Sequence, residues 1–301
     1  MKPTEHQDHQ HEQESEMIET SEYKINDIVV GVDGSDGSLA ALRWAARTAK
    51  ARGARVRAIS AWQYPAHAVT PAGPARLPDA DEMDRQTCEE LGALIRRELG
   101  DDAGRVDAEA GRGPAATVLI TAARTADLLV VGARGLGGFS GLLLGSASQQ
   151  CVEHSPCPVV VLRGGTERTG GPIVVGLDGS DGAARALAWS AAQAEATGTS
   201  VVAVHALGAG PNNTTMDAAH AALERWCAPI EERSIRCDRR VVASDARTAL
   251  DDVADATGAS LIVVGSRGLG AVRGLLLGSV AGYVARYSTR PIAVIPRAAT
   301  S

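Results

Sequence analysis

The strongest constraint on this chain is that it contains the same α/β segment twice. Ile28-Val-Val-Gly-Val-Asp-Gly-Ser-Asp-Gly37 returns as Ile173-Val-Val-Gly-Leu-Asp-Gly-Ser-Asp-Gly182, an offset of 145 that also relates Trp44 to Trp189. Further along, Leu129-Val-Val-Gly-Ala-Arg-Gly-Leu-Gly137 returns as Ile262-Val-Val-Gly-Ser-Arg-Gly-Leu-Gly270, at an offset of 133. The first copy therefore carries about twelve extra residues, which the sequence assigns to the Pro/Ala-rich loop from Pro65 to Pro78. A chain of 301 residues has room for about two ordinary domains, so the repeat reads as a duplicated domain.

Within each copy, short apolar runs alternate with helical stretches. Val29–Val32 reads as a buried strand, followed by a helix capped by Ser35 or Asp36 and stopped by Gly53. That helix carries Leu39, Leu42, Ala46 and Ala49 on one face. Strands follow at 56–61, 105–110, 128–131 and 158–162, with helices over 81–99, 115–124 and 146–153. The second copy places its strands at 173–177, 201–204, 236–242, 261–264 and 292–295. Apolar strands separated by helices imply right-handed crossovers and a parallel sheet covered on both faces. The expected fold is α/β, an open five-stranded parallel sheet in duplicate. Composition agrees: 45% of the chain is apolar but only 3% aromatic, so the core must be packed from Ala, Val, Leu and Ile.

Other features exclude whole classes. Residues 1–24 are rich in His, Gln and Glu, too polar to offset their ordering entropy, and are expected to be a disordered tail. His6, His9 and His11 there can bind metal only adventitiously. A net charge of −6 disfavours nucleic acid, because a polyanion needs a basic surface to displace its counterions. The only lysines are Lys2, Lys24 and Lys50, which excludes a phosphate-binding lysine from the second copy. Cys88, Cys151, Cys157, Cys227 and Cys237 form no C-x-x-C pair and read as reduced thiols. With no apolar run of membrane length and no secretory h-region, a cytoplasmic protein is expected.

The chemistry concentrates in the glycine motif. Gly132-Ala-Arg-Gly135 is followed after nine residues by Gly145-Ser146, and Gly265-Ser-Arg-Gly268 after nine by Gly278-Ser279. Each motif leaves a strand as a glycine loop and enters a helix at Gly-Ser. Successive N–H groups and a positive helix end can hold phosphates there without lysine. Arg134 and Arg267 either add charge to such a site or stand as solvated loop residues. Asp33 in Gly31-Val-Asp33 and Asp178 in Gly176-Leu-Asp178 end each first strand, where open α/β sheets bind ligands. A carboxylate there can accept from a nucleotide base or ribose, act on a metal, or simply form an Asx-turn or helix cap.

These motifs resemble the universal stress protein family in its tandem-domain form, over about residues 25–163 and 171–297. The likeness includes Val-Val-Gly-x-Asp-Gly-Ser, both glycine motifs, and the closing Ser155-Pro-Cys-Pro-Val159 and Thr289-Arg-Pro-Ile292. The spaced glycine motif marks the ATP-binding branch of that family. The resemblance implies a Rossmann-like domain over 25–165 and another over 170–301, with strand order 3-2-1-4-5. It implies that Asp33 and Asp178 contact adenine and that Ala61 and Ala206 meet the base through backbone groups. Gly31, Gly132, Arg134, Gly135, Gly137, Gly145, Ser146, Ala147 and Ser148 complete the first implied site. Gly176, Gly265, Arg267, Gly268, Gly270, Gly278, Ser279 and Val280 complete the second. ATP with Mg²⁺ is the implied cofactor. The halves are expected to pair about a pseudo-twofold through their fifth strands, and the chain to form a homodimer.

Two departures set the copies apart. Gly113-Pro114, read as aligning with Ala246-Arg247, and Ser148, replaced by Ala281, both make the second site the weaker expectation. His205 stands in place of Ser60 and reads as a strand residue with a satisfied ring. Three functions follow. The first is an ATP-binding regulator of a stress or dormancy response, acting on a protein partner. The second is a slow ATPase or nucleotidyl transferase, disfavoured by the lack of a Walker lysine motif or a positioned base. The third is an interaction module in which the glycines only shape loops.

Overall fold

Runs of β-branched residues become the central strands because both faces of each run are buried, whereas the edge strands are more polar and partly exposed. In the first copy β1 (Asp27–Gly31), β2 (Arg55–Trp62), β5 (Val106–Arg112), β6 (Leu128–Gly132) and β7 (Val159–Leu162) form the sheet. Its helices are α1 (Asp36–Arg52), α2 (Ala80–Leu99), α3 (Ala115–Ala122) and α4 (Ser146–His154). Two very short strands, β3 (Val69–Thr70) and β4 (Gly73–Pro74), pair within the inserted loop, where no sequence pattern marks them. The second copy supplies β8 (Ile173–Gly176), β9 (Val201–Ala206), β10 (Cys237–Val242), β11 (Leu261–Gly265) and β12 (Ile292–Ile295). Its helices are α5 (Asp181–Thr197), α6 (Asn213–Glu231), α7 (Ala246–Thr257) and α8 (Ser279–Tyr287). This computed structural model describes residues 23–64, 69–70, 73–74, 79–136, 143–165, 170–208, 210, 213–270 and 276–297. The expected tail lies outside the described residues up to position 22; Tyr23 packs against the core, ahead of the expected boundary.

The capping logic is the same in both copies. Ser35 and Ser180 accept from the N–H of Ser38 and Ala183, starting α1 and α5. Gly53 and Gly198 end them in the left-handed region, at φ 70° and 66°.

All ten long strands join one sheet in the order β10-β9-β8-β11-β12-β7-β6-β1-β2-β5. Each half contributes strands in the order 3-2-1-4-5, parallel throughout. The halves meet through the antiparallel pair β7–β12, with Val160 opposite Ala293. Alternating strand residues feed two cores. Ile28, Val30, Ile173 and Val175 face α1, α2, α5 and α6, whereas Val29, Val174, Ile262 and Val284 lie in the layer with α3, α4, α7 and α8. Both cores draw on both halves, so the seam is part of the interior. Arg52 reinforces it from α1 by donating to Ala192 O and Gln193 Oε1 of α5, each at 2.9 Å.

Register corrects one alignment. Ala61 faces Gly111 across β2–β5, and Ala206 faces Val242 across β9–β10. Gly113-Pro114 therefore corresponds to Ser244-Asp245, not Ala246-Arg247. α7 continues where the shorter α3 gives way to a 3-10 turn at Ala123–Thr125, so the offset of 133 holds only after it. Asp245 caps α7 through the N–H of Arg247, at 2.8 Å.

All five cysteines are free thiols, with Cys151, Cys157 and Cys227 buried. Among the described residues no helix is long and apolar enough to cross a membrane.

A seam that belongs to both cores ties the stability of the halves together. Val160→Asp, which buries an unpaired carboxylate, is expected to cost about 3 kcal/mol or more. Hydrogen exchange under mild urea should then lose protection in β6 and β11 alike; loss confined to the first half would show that the halves unfold independently.

Candidate functional site

Each half has its topological switch between the first and fourth strands, which lie side by side but connect in opposite directions. β1 parts from β6 and β8 from β11, and beyond their carboxyl ends a cavity opens in each half.

The acid at the end of β1 organises the first. Asp33 Oδ1 accepts from the Ser35 N–H at 3.0 Å and the Ser35 hydroxyl at 2.6 Å, an Asx-turn that leads into α1. Its Oδ2 accepts the N–H of Leu136, at 3.0 Å, from the far side of the glycine loop. Asp178 repeats this with Ser180 (3.0 and 2.6 Å) and Leu269 (2.9 Å). The glycines follow from that contact. A Cβ on Gly135 would collide with Asp33 Oδ2, and one on Gly268 with Asp178 Oδ2. A Cβ on Gly132 would stand 2.6 Å from the Gly37 carbonyl carbon, and one on Gly265 the same distance from that of Gly182. The loop thus lies against the start of α1 or α5 with no space for a side chain. Asp33 is an exposed residue with a partly shielded carboxyl group. Shielding pushes its pKa up, but the Ser35 hydroxyl and the N–H groups of Ser35 and Leu136 outweigh it and hold the carboxyl below its ordinary value.

Two helix starts lie at the other end of the loops. α4 and α8 start at Gly145 and Gly278, both extended, and neither start is capped by a side chain. The first-turn N–H groups of Ser146, Ala147 and Ser148, and of Ser279, Val280 and Ala281, have no intrahelical acceptor. The positive end of each helix dipole points the same way.

The first cavity, of about 90 Å³, is lined by Gly31, Asp33, Ala61, Gly132, Arg134, Gly135, Ala147 and Ser148. Gly145 and Ser146 do not line it, and Gly137 lies outside the described residues. The second, of about 170 Å³, is lined by every expected residue: Gly176, Asp178, Ala206, Gly265, Arg267, Gly268, Gly270, Gly278, Ser279 and Val280. Among the described residues neither the Arg134 nor the Arg267 guanidinium has a hydrogen-bond or ion-pair partner, and both residues line their cavities.

The cavity of the second copy is the larger of the two, about 170 against about 90 Å³. The Ser148 hydroxyl donates to Gly132 O at 2.6 Å while the residue lines the first cavity, and Ala281 lines the second. Leu119 also presses closer under the strand end than Leu250 does: added Cβ atoms on Gly31 and Gly176 would lie 2.7 and 3.2 Å from them. Sequence reasoning missed Leu119, Leu250, Ser38 and Ser180, which line the cavities from helices or helix starts without a motif of their own. For Leu119 and Leu250 the available signal was the apolar face of the third helix in each copy. His205 lies outside the cavity lining. Its Nδ1 meets Leu177 O at 2.8 Å and its ring packs edge-on against Trp226, as a satisfied strand residue. Among the described residues no three His, Cys, Asp or Glu side chains gather into a metal cluster.

The model of the universal stress protein family matches residues 24–163 and again 171–296. A universal stress protein of Mycolicibacterium smegmatis is 33% identical over 285 residues, covering 89% of this chain and 96% of that protein. One from Mycobacterium tuberculosis is 30% identical over 285 residues, covering 89% and 95%. The crystal structure of a universal stress protein from Archaeoglobus fulgidus superposes with a TM-score of 0.70 at 22% identity, covering 91% of this chain and all of that one. This chain belongs to the universal stress protein family.

The Asp33 clamp has a pH signature. Because its folded pKa is depressed, the stability contributed by ionisation is present above the unfolded value of 3.8 and is lost as pH falls through the folded value. Urea midpoints of the native protein should therefore fall more steeply than those of Asp33→Asn between about pH 5 and pH 3. Parallel profiles would remove the carboxylate from the account.

Proposed function

We propose that this member of the universal stress protein family binds an adenine nucleotide in each cavity, ATP with Mg²⁺, and acts in the cytoplasm as a regulator of a stress or dormancy response. The observation that carries the reading is the duplicated pairing of an uncapped helix N-terminus with a glycine loop, both facing a cavity. Anions bind at such helix starts because several N–H groups converge where the dipole is positive.

The residues fit the group along its length. Ala61 or Ala206 at the end of the second strand, with Leu119 or Leu250 beneath, offers a flat apolar wall for a base. Asp33 or Asp178 keeps acceptor capacity on Oδ2 beyond its loop bond, enough to accept a hydrogen bond from an adenine amino group or a ribose hydroxyl. Ser146 or Ser279, the N–H groups that follow in the first turn, and Arg134 or Arg267 would hold the phosphates, and Mg²⁺ would supply further positive charge to them. In this reading the domains run over 25–165 and 170–301, and occupancy sets the shape of the glycine loops that a protein partner reads. Hydrolysis is at most slow, since neither copy carries a Walker lysine motif. A homodimer is part of the proposal. Its interface lies away from β7 and β12, which are already paired within the chain.

An interaction module without nucleotide has one observation of its own. Leu136 and Leu269, each 73% exposed, project from loops that the aspartates hold in place.

Proline at the first helical position separates the two. Gly145 and Gly278 have φ, ψ of −74°, 157° and −72°, 160°, a conformation that tolerates a following proline. Ser146→Pro and Ser279→Pro each remove one N–H and one hydroxyl while keeping the helix. Each is expected to weaken MgATP binding at its own site about tenfold or more, measured by calorimetry. Binding unchanged in both would overturn the placement of the phosphates.

A further inference from the structure

We infer that Arg163 is a positioning residue that couples the two cavities, fixing the helix of the second site to the loop of the first. It follows β7 directly, in the first half of the chain. From there Nε donates to Ser288 O at 2.6 Å, and Nη2 to Arg286 O at 2.7 Å and Ala285 O at 3.0 Å. These carbonyls end α8, the helix whose first residues line the second cavity. Nη1 reaches the other way, to Leu143 O at 2.5 Å, next to the start of α4 and within the loop that leads to it from the first cavity. Among the described residues one guanidinium thus gathers carbonyls from both halves, those of Ala285, Arg286 and Ser288 from the second and that of Leu143 from the first.

The antiparallel seam makes this possible. With β7 and β12 running in opposite directions, the two cavities lie toward opposite ends of the central strands. A helix of nine residues is about 13.5 Å long, so α8 starts at its own site and ends beside the loop of the other. The Arg163 charge sits at the negative end of the α8 dipole, and an anion at Ser279 would sit at the positive end. Anything that settles or shifts α8 acts on Leu143 through a planar, pre-organised fork rather than a flexible contact. Arg134, which lines the first cavity, is near enough for its charge to act on Arg163.

The device runs one way. At the offset of 133 the counterpart of Arg163 is Pro296, which has no side-chain donor, and among the described residues no side chain of the second half donates to the carbonyls that end α4. Arg163 therefore makes the halves unequal where the repeat would make them alike.

The coupling rests on the nucleotide reading, and one experiment separates the two. In full-length Ser146→Pro protein, which weakens the first site, MgATP is added to fill the second, and calorimetry counts the sites filled. Hydrogen exchange is then read at Leu144 and Gly145. Filling the second site is expected to change that exchange about fivefold or more, a usual size for coupling between sites. Adding Arg163→Ala should leave the second site filled but abolish the response. Arg163→Lys, which keeps the charge without the fork, should leave only a small part of it, and serves if the alanine variant fails to fold. An unchanged loop on filling with Arg163 intact, or a full response in either variant, overturns the coupling. If no MgATP binds the second site, the nucleotide reading fails there and the coupling fails with it.

Discussion

Three backbone pairings between β7 and β12 decide what kind of molecule this is. Val161 with Ile292, Val160 with Ala293 and Val159 with Val294 join two parallel half-sheets into one. Without that junction each fifth strand would present an edge of unpaired N–H and C=O groups on very apolar residues, a template for aggregation. With it, both cores become continuous from one half to the other, and the duplicated sites acquire a fixed relation. The antiparallel sense of the pair is the important part. It places the cavities toward opposite ends of the central strands and lets α8 extend from its own site to the first loop.

A second constraint works within each half. The carboxylate after the first strand binds both the turn that follows it and the loop that follows the fourth strand. Neighbouring strands on either side of the topological switch are therefore tied at their ends, and the glycines are required by how closely loop and acid approach. The same loops lead into helix starts that no side chain caps. Shape and binding capacity have one origin here: a backbone brought too close for side chains is also a backbone free to donate its N–H groups to a ligand.

Much of this is legible in the sequence because it resides in local patterns. The repeated Val-Val-Gly-x-Asp-Gly-Ser and the spaced glycines suffice to place the strands, the switch and most of the cavity lining. The misreadings have a common physical source: side chains acting across distance in the chain. Ser148 lines the first cavity as its position suggests, but its bond to Gly132 O across the glycine loop is not legible in the sequence. Gly113-Pro114 aligns with the wrong partners by offset alone because α7 is longer than α3, and only strand register reveals where the extra length falls. Leu119 and Leu250 sit on amphipathic helices where no single residue stands out. Arg163 has no counterpart in the repeat, and its carbonyl partners among the described residues are more than a hundred positions away or in a loop before it.

The central claim is that both halves are nucleotide sites, and the most direct measurement is of what the purified protein carries. Denaturing freshly prepared protein, then separating and quantifying the released nucleotides by chromatography, gives identity and stoichiometry together. The account predicts about two adenine nucleotides per chain after incubation with ATP and Mg²⁺, one for each cavity. No nucleotide released, and none taken up when ATP and Mg²⁺ are supplied, would contradict it.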